Sequence, residues 1–101
     1  MAVDLLVVGL GNPGAEYERT RNNCGADTVA LLARRHGGVL KRDRAHALTC
    51  EVALGPGARR MALAFPQTFY NDSGLAVAAL LRRHHLNWVE LVVVHDELDL
   101  E

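Results

Sequence analysis

Cysteine is scarce, long apolar runs are absent, and neither sign of charge dominates. The two cysteines, Cys24 and Cys50, stand far apart and form no C-x-x-C pair. That fits a reduced, cytoplasmic setting with both thiols inert in the core. No apolar stretch approaches the ~20 residues that span a bilayer, and the N-terminus lacks the basic region and apolar block of a signal peptide. Neither a membrane partner nor export is therefore expected. No internal repeat, linker or low-complexity segment interrupts the chain. A P-loop of the form G-x-x-x-x-G-K-[ST] is missing, which removes that nucleoside triphosphate cradle. The formal net charge of −1 is not that of a dedicated nucleic-acid binder.

What is present is a chain of 101 residues, half of them apolar and 23% charged. This is one domain, with room for a real core but at the small end for an α/β sheet protein. The near-neutral total hides an asymmetry. From residue 90 onward there are five acids and no bases, so the first 89 residues carry eleven bases against seven acids. Ten of the eleven bases are arginine, and eight of these cluster with Lys41 at Arg34-Arg35, Lys41-Arg42-x-Arg44, Arg59-Arg60 and Arg82-Arg83. Guanidinium forks grip phosphate oxygens in pairs, which admits a phosphate-rich partner. The same clusters also read as solvated helix ends and a loop.

The pattern of apolar residues predicts the order β-α-β-β-α-β. Val3 to Gly9 reads as a strand buried on both faces. Asn12 to Asn23 is a polar loop, after which Asn23 caps a helix from Cys24 with Ala26, Val29, Ala30 and Ala33 at helical spacing. Arg34, Arg35 and His36 complement its dipole, and Gly37-Gly38 stops it. Ala47 to Leu54 and Arg59 to Phe65, joined by Gly55-Pro56-Gly57, form a hairpin. Ser73 to His85 is a helix so apolar from Leu75 to Leu81 that it must be buried, and Val89 to His95 is a last strand. The fold class is α/β, a single-domain mixed sheet flanked by helices. Polar loops follow three strand ends, led by Asn12, Asn71 and Asp96, where α/β proteins place their chemistry.

Gly9-x-Gly11-x-x-Gly14 formally matches a dinucleotide fingerprint. That fingerprint needs the helix to open within the motif, so that its N-terminus meets the pyrophosphate. Here Pro13 and the polar run Ala15 to Asn23 postpone the helix. No second strand ending in an acid follows at the required interval, because the helix from Cys24 fills that window. The nucleotide reading is rejected.

Three segments together resemble bacterial peptidyl-tRNA hydrolase. They are Val7-Val8-Gly9-Leu10-Gly11-Asn12-Pro13-Gly14-x-x-Tyr17 with Thr20-Arg21-x-Asn23-x-Gly25, then Pro66-x-Thr68-Phe69-x-Asn71-x-Ser73-Gly74, then His95-Asp96-Glu97-Leu98-Asp99-Leu100. The resemblance spans essentially the whole chain, in family order. It implies cleavage of the ester joining a peptide to the ribose of a tRNA, with peptidyl-tRNA as partner and no metal or cofactor. It makes Asn12 and Asn71 the amides that hold the peptide and its carbonyl near the attacking water. Asp96 becomes the carboxylate that orients the catalytic base, and Tyr17 lines the entrance for the tRNA end. Phe69 and Tyr70 complete the substrate-binding set. A side-chain amide suits such a task, offering donor and acceptor without titrating. The bland alternative is asparagines that stabilise turns and an aspartate that caps the next segment.

The chain departs from the family at the general base, a histidine whose position is held by Asn22. An amide cannot take a proton from water near neutral pH, although it can hold that water in place. Losing a general base costs about 10²–10⁴ in rate. No other histidine is an evident substitute: His36, His84 and His85 sit at helix ends, His46 opens a hairpin strand, and strand alternation turns His95 away from Asp96. Tyr70 stands where the family commonly has methionine, which narrows the peptide site. Family members continue past the Asp-Leu pair with a glycine-rich loop, further strands and a closing helix. Residues 1–101 thus read as a partial domain of impaired activity. The alternatives are a non-catalytic tRNA- or RNA-binding module, or a gene relic without function. The last strand would leave an uncovered edge with apolar surface. The isolated chain is therefore expected to be marginally stable or to self-associate, as sedimentation and thermal denaturation would show. A monomer with a sharp cooperative melt would contradict this.

Overall fold

An apolar run without alternation belongs in the middle of a sheet, and β1 (Leu5–Gly9) is the central member of its parallel trio. The computed structural model of the chain describes residues 2–11, 24–55, 57, 59–67 and 73–95. After β1 come α1 (Cys24–Arg35), β2 (Lys41–Asp43), β3 (Ala47–Ala53), β4 (Arg60–Pro66), α2 (Ser73–Arg83), a 3₁₀ turn over Trp88–Glu90, and β5 (Leu91–Val94). The strands form one mixed sheet in the order β2-β3-β4-β1-β5. β1 is parallel to β4 on one side and to β5 on the other. The β2-β3 and β3-β4 pairs are antiparallel.

Alternation splits the core into two layers. Leu6 and Val8 of β1 and Ala62 and Ala64 of β4 join Val77, Leu80 and Leu81 of α2 on one face. Val7 of β1 and Met61 and Leu63 of β4 join Val29 and Ala33 of α1 on the other. Small alanines in β4 let α2 settle close, while larger side chains fill the space under α1. Cys24 opens α1. Cys50, in β3, is half-buried rather than enclosed in the core as expected, and burial followed by the nearby Glu51 charge pushes its thiol upward.

Both helices end as their last residues dictate. Gly37 adopts φ +76° and Gly38 N–H donates to the Ala33 carbonyl at 2.8 Å, so the glycine pair does stop α1. α2 closes in the same way without glycine: His85 takes φ +56°, and Leu86 N–H donates to the Leu81 carbonyl at 2.9 Å. That turn brings Leu86 back against the core.

The expected element bounds shift for physical reasons. Val3 is buried, and Asp4 clips the start of β4, its N–H donating to the Arg60 carbonyl at 2.9 Å and its carboxylate accepting from Arg60 N–H at 3.0 Å. β2 is an unforeseen strand, three residues drawn from the Lys41-Arg42 basic cluster. The last strand is shorter than expected because Trp88–Glu90 forms a turn. Within α2 the apolar run is not uniformly covered: Ala76, Val77, Leu80 and Leu81 share the inward face, while Leu75 is 78% exposed. β5 is a sheet edge, and Val92, Val93 and the preceding Trp88 and Val89 are exposed.

One ion pair ties α2 to the antiparallel half of the sheet. Arg83 donates two hydrogen bonds to the Asp43 carboxylate, at 2.7 and 2.8 Å, and Asp43 also accepts from Ala45 N–H at 2.8 Å. The Arg83 fork holds the Asp43 carboxyl below its usual range. His84 is also lowered, chiefly by burial. A group whose pKa is lower folded than unfolded supports the fold above its unfolded pKa and loses that support as pH falls. The Tm is therefore expected to fall first from pH ~6.5 downward through His84, then again below pH ~4 through Asp43. Asp43→Asn should cost about 1 kcal/mol at pH 7. Its deficit relative to the parent should shrink as pH falls below the usual carboxylate range and the parent's own lowered carboxyl protonates. Thermal melts across pH check this, and an unchanged deficit at low pH would contradict it.

Candidate active site

Three adjacent parallel strands must open on one edge of the sheet. β4, β1 and β5 do so, their C-terminal ends side by side at the usual ~4.8 Å strand spacing. The last described residues at these ends are Gln67, Gly11 and His95. The ladder holds to the rim: Leu10 N–H donates to the Val94 carbonyl at 2.8 Å. On the other flank Gln67 N–H donates to the His46 carbonyl at 2.8 Å, so the β2–β3 turn buttresses the end of β4. His46 stands in that turn with φ +59°, just before β3 rather than within it.

The first turn of α1 sits directly on this edge. A side chain at Gly25 would collide with the Leu10 and Val94 carbonyl oxygens, and one at Gly9 would collide with the Gly25 carbonyl. Backbone therefore touches backbone where α1 crosses the ends of β1 and β5. The N–H groups of α1's first turn, which no helix pairs within itself, lie at the same edge, with the positive end of the helix dipole. Ser73, the first residue of α2, is buried. The role of Gly25 is not evident from spacing alone. Its signal is a glycine in a helix's first turn, a choice that costs about 1 kcal/mol relative to alanine unless space demands it.

The residues singled out as functional, Asn12, Tyr17, Asn22, Phe69, Tyr70, Asn71 and Asp96, lie outside the described residues. Their described neighbours in the chain do converge. Asn12 follows Gly11 at the end of β1, and Asp96 follows His95 at the end of β5. Phe69, Tyr70 and Asn71 fall between Gln67 and Ser73, and Asn22 stands two residues before Cys24. Among the described residues, no group of three or more His, Cys, Asp or Glu side chains is placed to hold a metal ion. A cavity of about 190 Å³ lies elsewhere, between β3 and the end of α2, lined by Thr49, Glu51, Asp43, Arg83 and His84 among others. It is separate from the strand ends.

Comparison with known proteins converges on one family. The family model for peptidyl-tRNA hydrolase matches residues 6–101. A curated relative from Kineococcus radiotolerans, a peptidyl-tRNA hydrolase, is 52% identical over 94% of this chain and 50% of its own. One from Moorella thermoacetica is 47% identical over 99% of this chain and 52% of its own. The crystal structure of peptidyl-tRNA hydrolase from Acinetobacter baumannii superposes with a TM-score of 0.82 at 33% identity, covering 99% of this chain and 51% of that one. The chain thus spans about half the length of the curated relatives it matches.

The backbone contact at the edge generates a stability prediction. Gly25→Ala gains helix propensity yet forces a methyl group against two carbonyl oxygens, so it should destabilise by about 2–3 kcal/mol. Gly74→Ala, also in the first turn of its helix but facing open space, should be neutral or slightly stabilising. Denaturant titration of the two variants decides; equal effects would contradict the close approach.

Proposed function

The chain belongs to the peptidyl-tRNA hydrolase family, and on that premise we propose that it binds peptidyl-tRNA and slowly hydrolyses the ester between peptide and tRNA. The observation that carries this reading is the edge itself. The segments bearing Asn12, Asn71 and Asp96 leave three adjacent parallel strands on one side of the sheet. The segment bearing Asn22 enters α1, whose Gly25 packs on that same edge.

In this reading Asn12 and Asn71 hold the peptide and its carbonyl, Tyr17, Phe69 and Tyr70 line the site, and Asn22 hydrogen-bonds the attacking water. Asp96 orients the Asn22 amide, which stands in the place of the family's base. As the water adds to the ester carbonyl, negative charge grows on the carbonyl oxygen. The dipole of α1 favours negative charge at this edge. What is lacking is a group to take the proton: Asn22 has no affinity for it, and a carboxylate in the ordinary range is a weak base for water. The attacking water gives its proton to bulk solvent and the departing ribose oxygen takes one from it, so positioning survives without a placed base and turnover is slow. The chemistry uses water and side chains alone, in a hydrolase domain working in the cytoplasm, where tRNA is. Asn22 also favours a second reading, a module that binds tRNA without cleaving it.

The test is release of peptide from an N-acetylated aminoacyl-tRNA by the folded chain. Turnover above the spontaneous rate is expected, and Asn22→His should raise it by about 10²–10⁴ by restoring a general base. Absence of turnover from both forms would contradict the hydrolase reading. Salt-dependent tRNA binding without turnover would assign the binding module instead.

A further inference from the structure

The sole tryptophan of the chain is 65% exposed, and Val89 beside it is 90% exposed. Burying an indole is among the largest apolar gains a side chain offers, so its exposure asks for an occupant. Trp88 borders an open groove of about 470 Å³, with Leu81 and Leu86 in its lining and Arg82, His85 and Asn87 around it. This volume falls within the range of small-ligand sites, roughly 300–1,000 Å³. The groove owes its form to local backbone. His85 in the left-handed region turns the chain after α2, and Glu90 accepts Asn87 N–H at 2.7 Å to tighten the 3₁₀ turn that carries Trp88. It adjoins the start of β5, where Leu91 pairs with Leu6, and so lies about a strand's length, roughly 15 Å, from the edge that holds the candidate active site.

We propose that this groove is a stacking site for an unpaired nucleobase of an RNA ligand. Charge complementarity selects that occupant. Arg82 and His85 line the groove, and among the described residues no carboxylate does. Arg82 has no ion pair among the described residues, whereas its neighbour Arg83 is committed to Asp43. The one nearby acid on the turn, Glu90, spends its carboxylate on the Asn87 backbone. An indole face accepts any base, an exposed guanidinium takes the adjoining phosphate, and the Asn87 amide NH2 offers a donor to a base edge. The inference rests on the proposal that the chain's ligand is a tRNA, and adds a second contact to it.

Because Trp88 is the only tryptophan, its fluorescence reads the site directly. The folded chain is titrated with deacylated tRNA and with a short unstructured oligoribonucleotide. Saturable quenching that weakens with salt is expected from both. Trp88→Ala should weaken binding of the oligoribonucleotide about 10-fold. Arg82→Gln should reduce the salt slope by about one. Both residues are exposed, and circular dichroism confirms that the variants fold. Binding of tRNA with unchanged Trp88 fluorescence and undiminished Trp88→Ala affinity would overturn the inference. So would an absence of RNA binding, or a fluorescence response confined to anionic phospholipid vesicles. Peptide release measured on the same samples separates the two proposals. Hydrolysis without quenching removes the groove and leaves the hydrolase; quenching without hydrolysis does the reverse.

Discussion

The rest of the structure depends on a contact in which no side chain takes part. At Gly9 and Gly25 the first turn of α1 rests its backbone on the ends of β1 and β5. Any Cβ there would push the helix off the sheet, since the nearest obstacles are carbonyl oxygens of the backbone. The contact sets the height of α1, brings Val29 and Ala33 down onto Val7 and Leu63, and delivers the helix's N-terminal dipole to the rim of three parallel strands. An edge built from backbone positions whatever follows it more firmly than an edge built from rotamers.

Elsewhere the fold is anchored by polar contacts at its margins and apolar packing within. Asp4 clips the start of β4, Gln67 is held by the His46 carbonyl, and Arg83 reaches from α2 to Asp43 beside the β2–β3 turn. Each ties the parallel half of the sheet to the antiparallel hairpin or to a helix end. The two apolar layers share the sheet between them and differ in grain, alanine-rich under α2 and bulkier under α1. The sheet edge at β5, by contrast, keeps Val92 and Val93 exposed.

Much of this was legible in the residues. Glycine at 37 and 38 and the arginine pair ahead of them mark the end of α1 to within a residue, because each answers a specific demand of a helix end; the expected cap at Asn23 lies outside the described residues. β2 was hidden: Lys41-Arg42-Asp43 carries no apolar alternation, since it forms an edge whose pairing comes from backbone alone. Leu75 misled for the opposite reason, being apolar yet on the outward face of α2. The closure of α2 at His85 escaped because histidine is a rarer occupant of the left-handed region than glycine. For the candidate site, three polar loops at three strand ends could be read, but their adjacency is a matter of sheet order and emerges only from β4-β1-β5 pairing. The groove at Trp88 depends on a turn between elements, which periodicity does not report.

The central claim is that the edge formed by β4, β1, β5 and the start of α1 is where substrate meets the chain. Amide chemical shifts recorded while an adenosine carrying a peptide through a stable 3′-amide link is added test it most directly. The account predicts that the backbone signals of Gly11, Gly25, Gln67 and His95 shift together and saturate at one concentration. Shifts confined to the opposite end of the sheet, around Gly55 and Arg60, with those four unmoved, would contradict it.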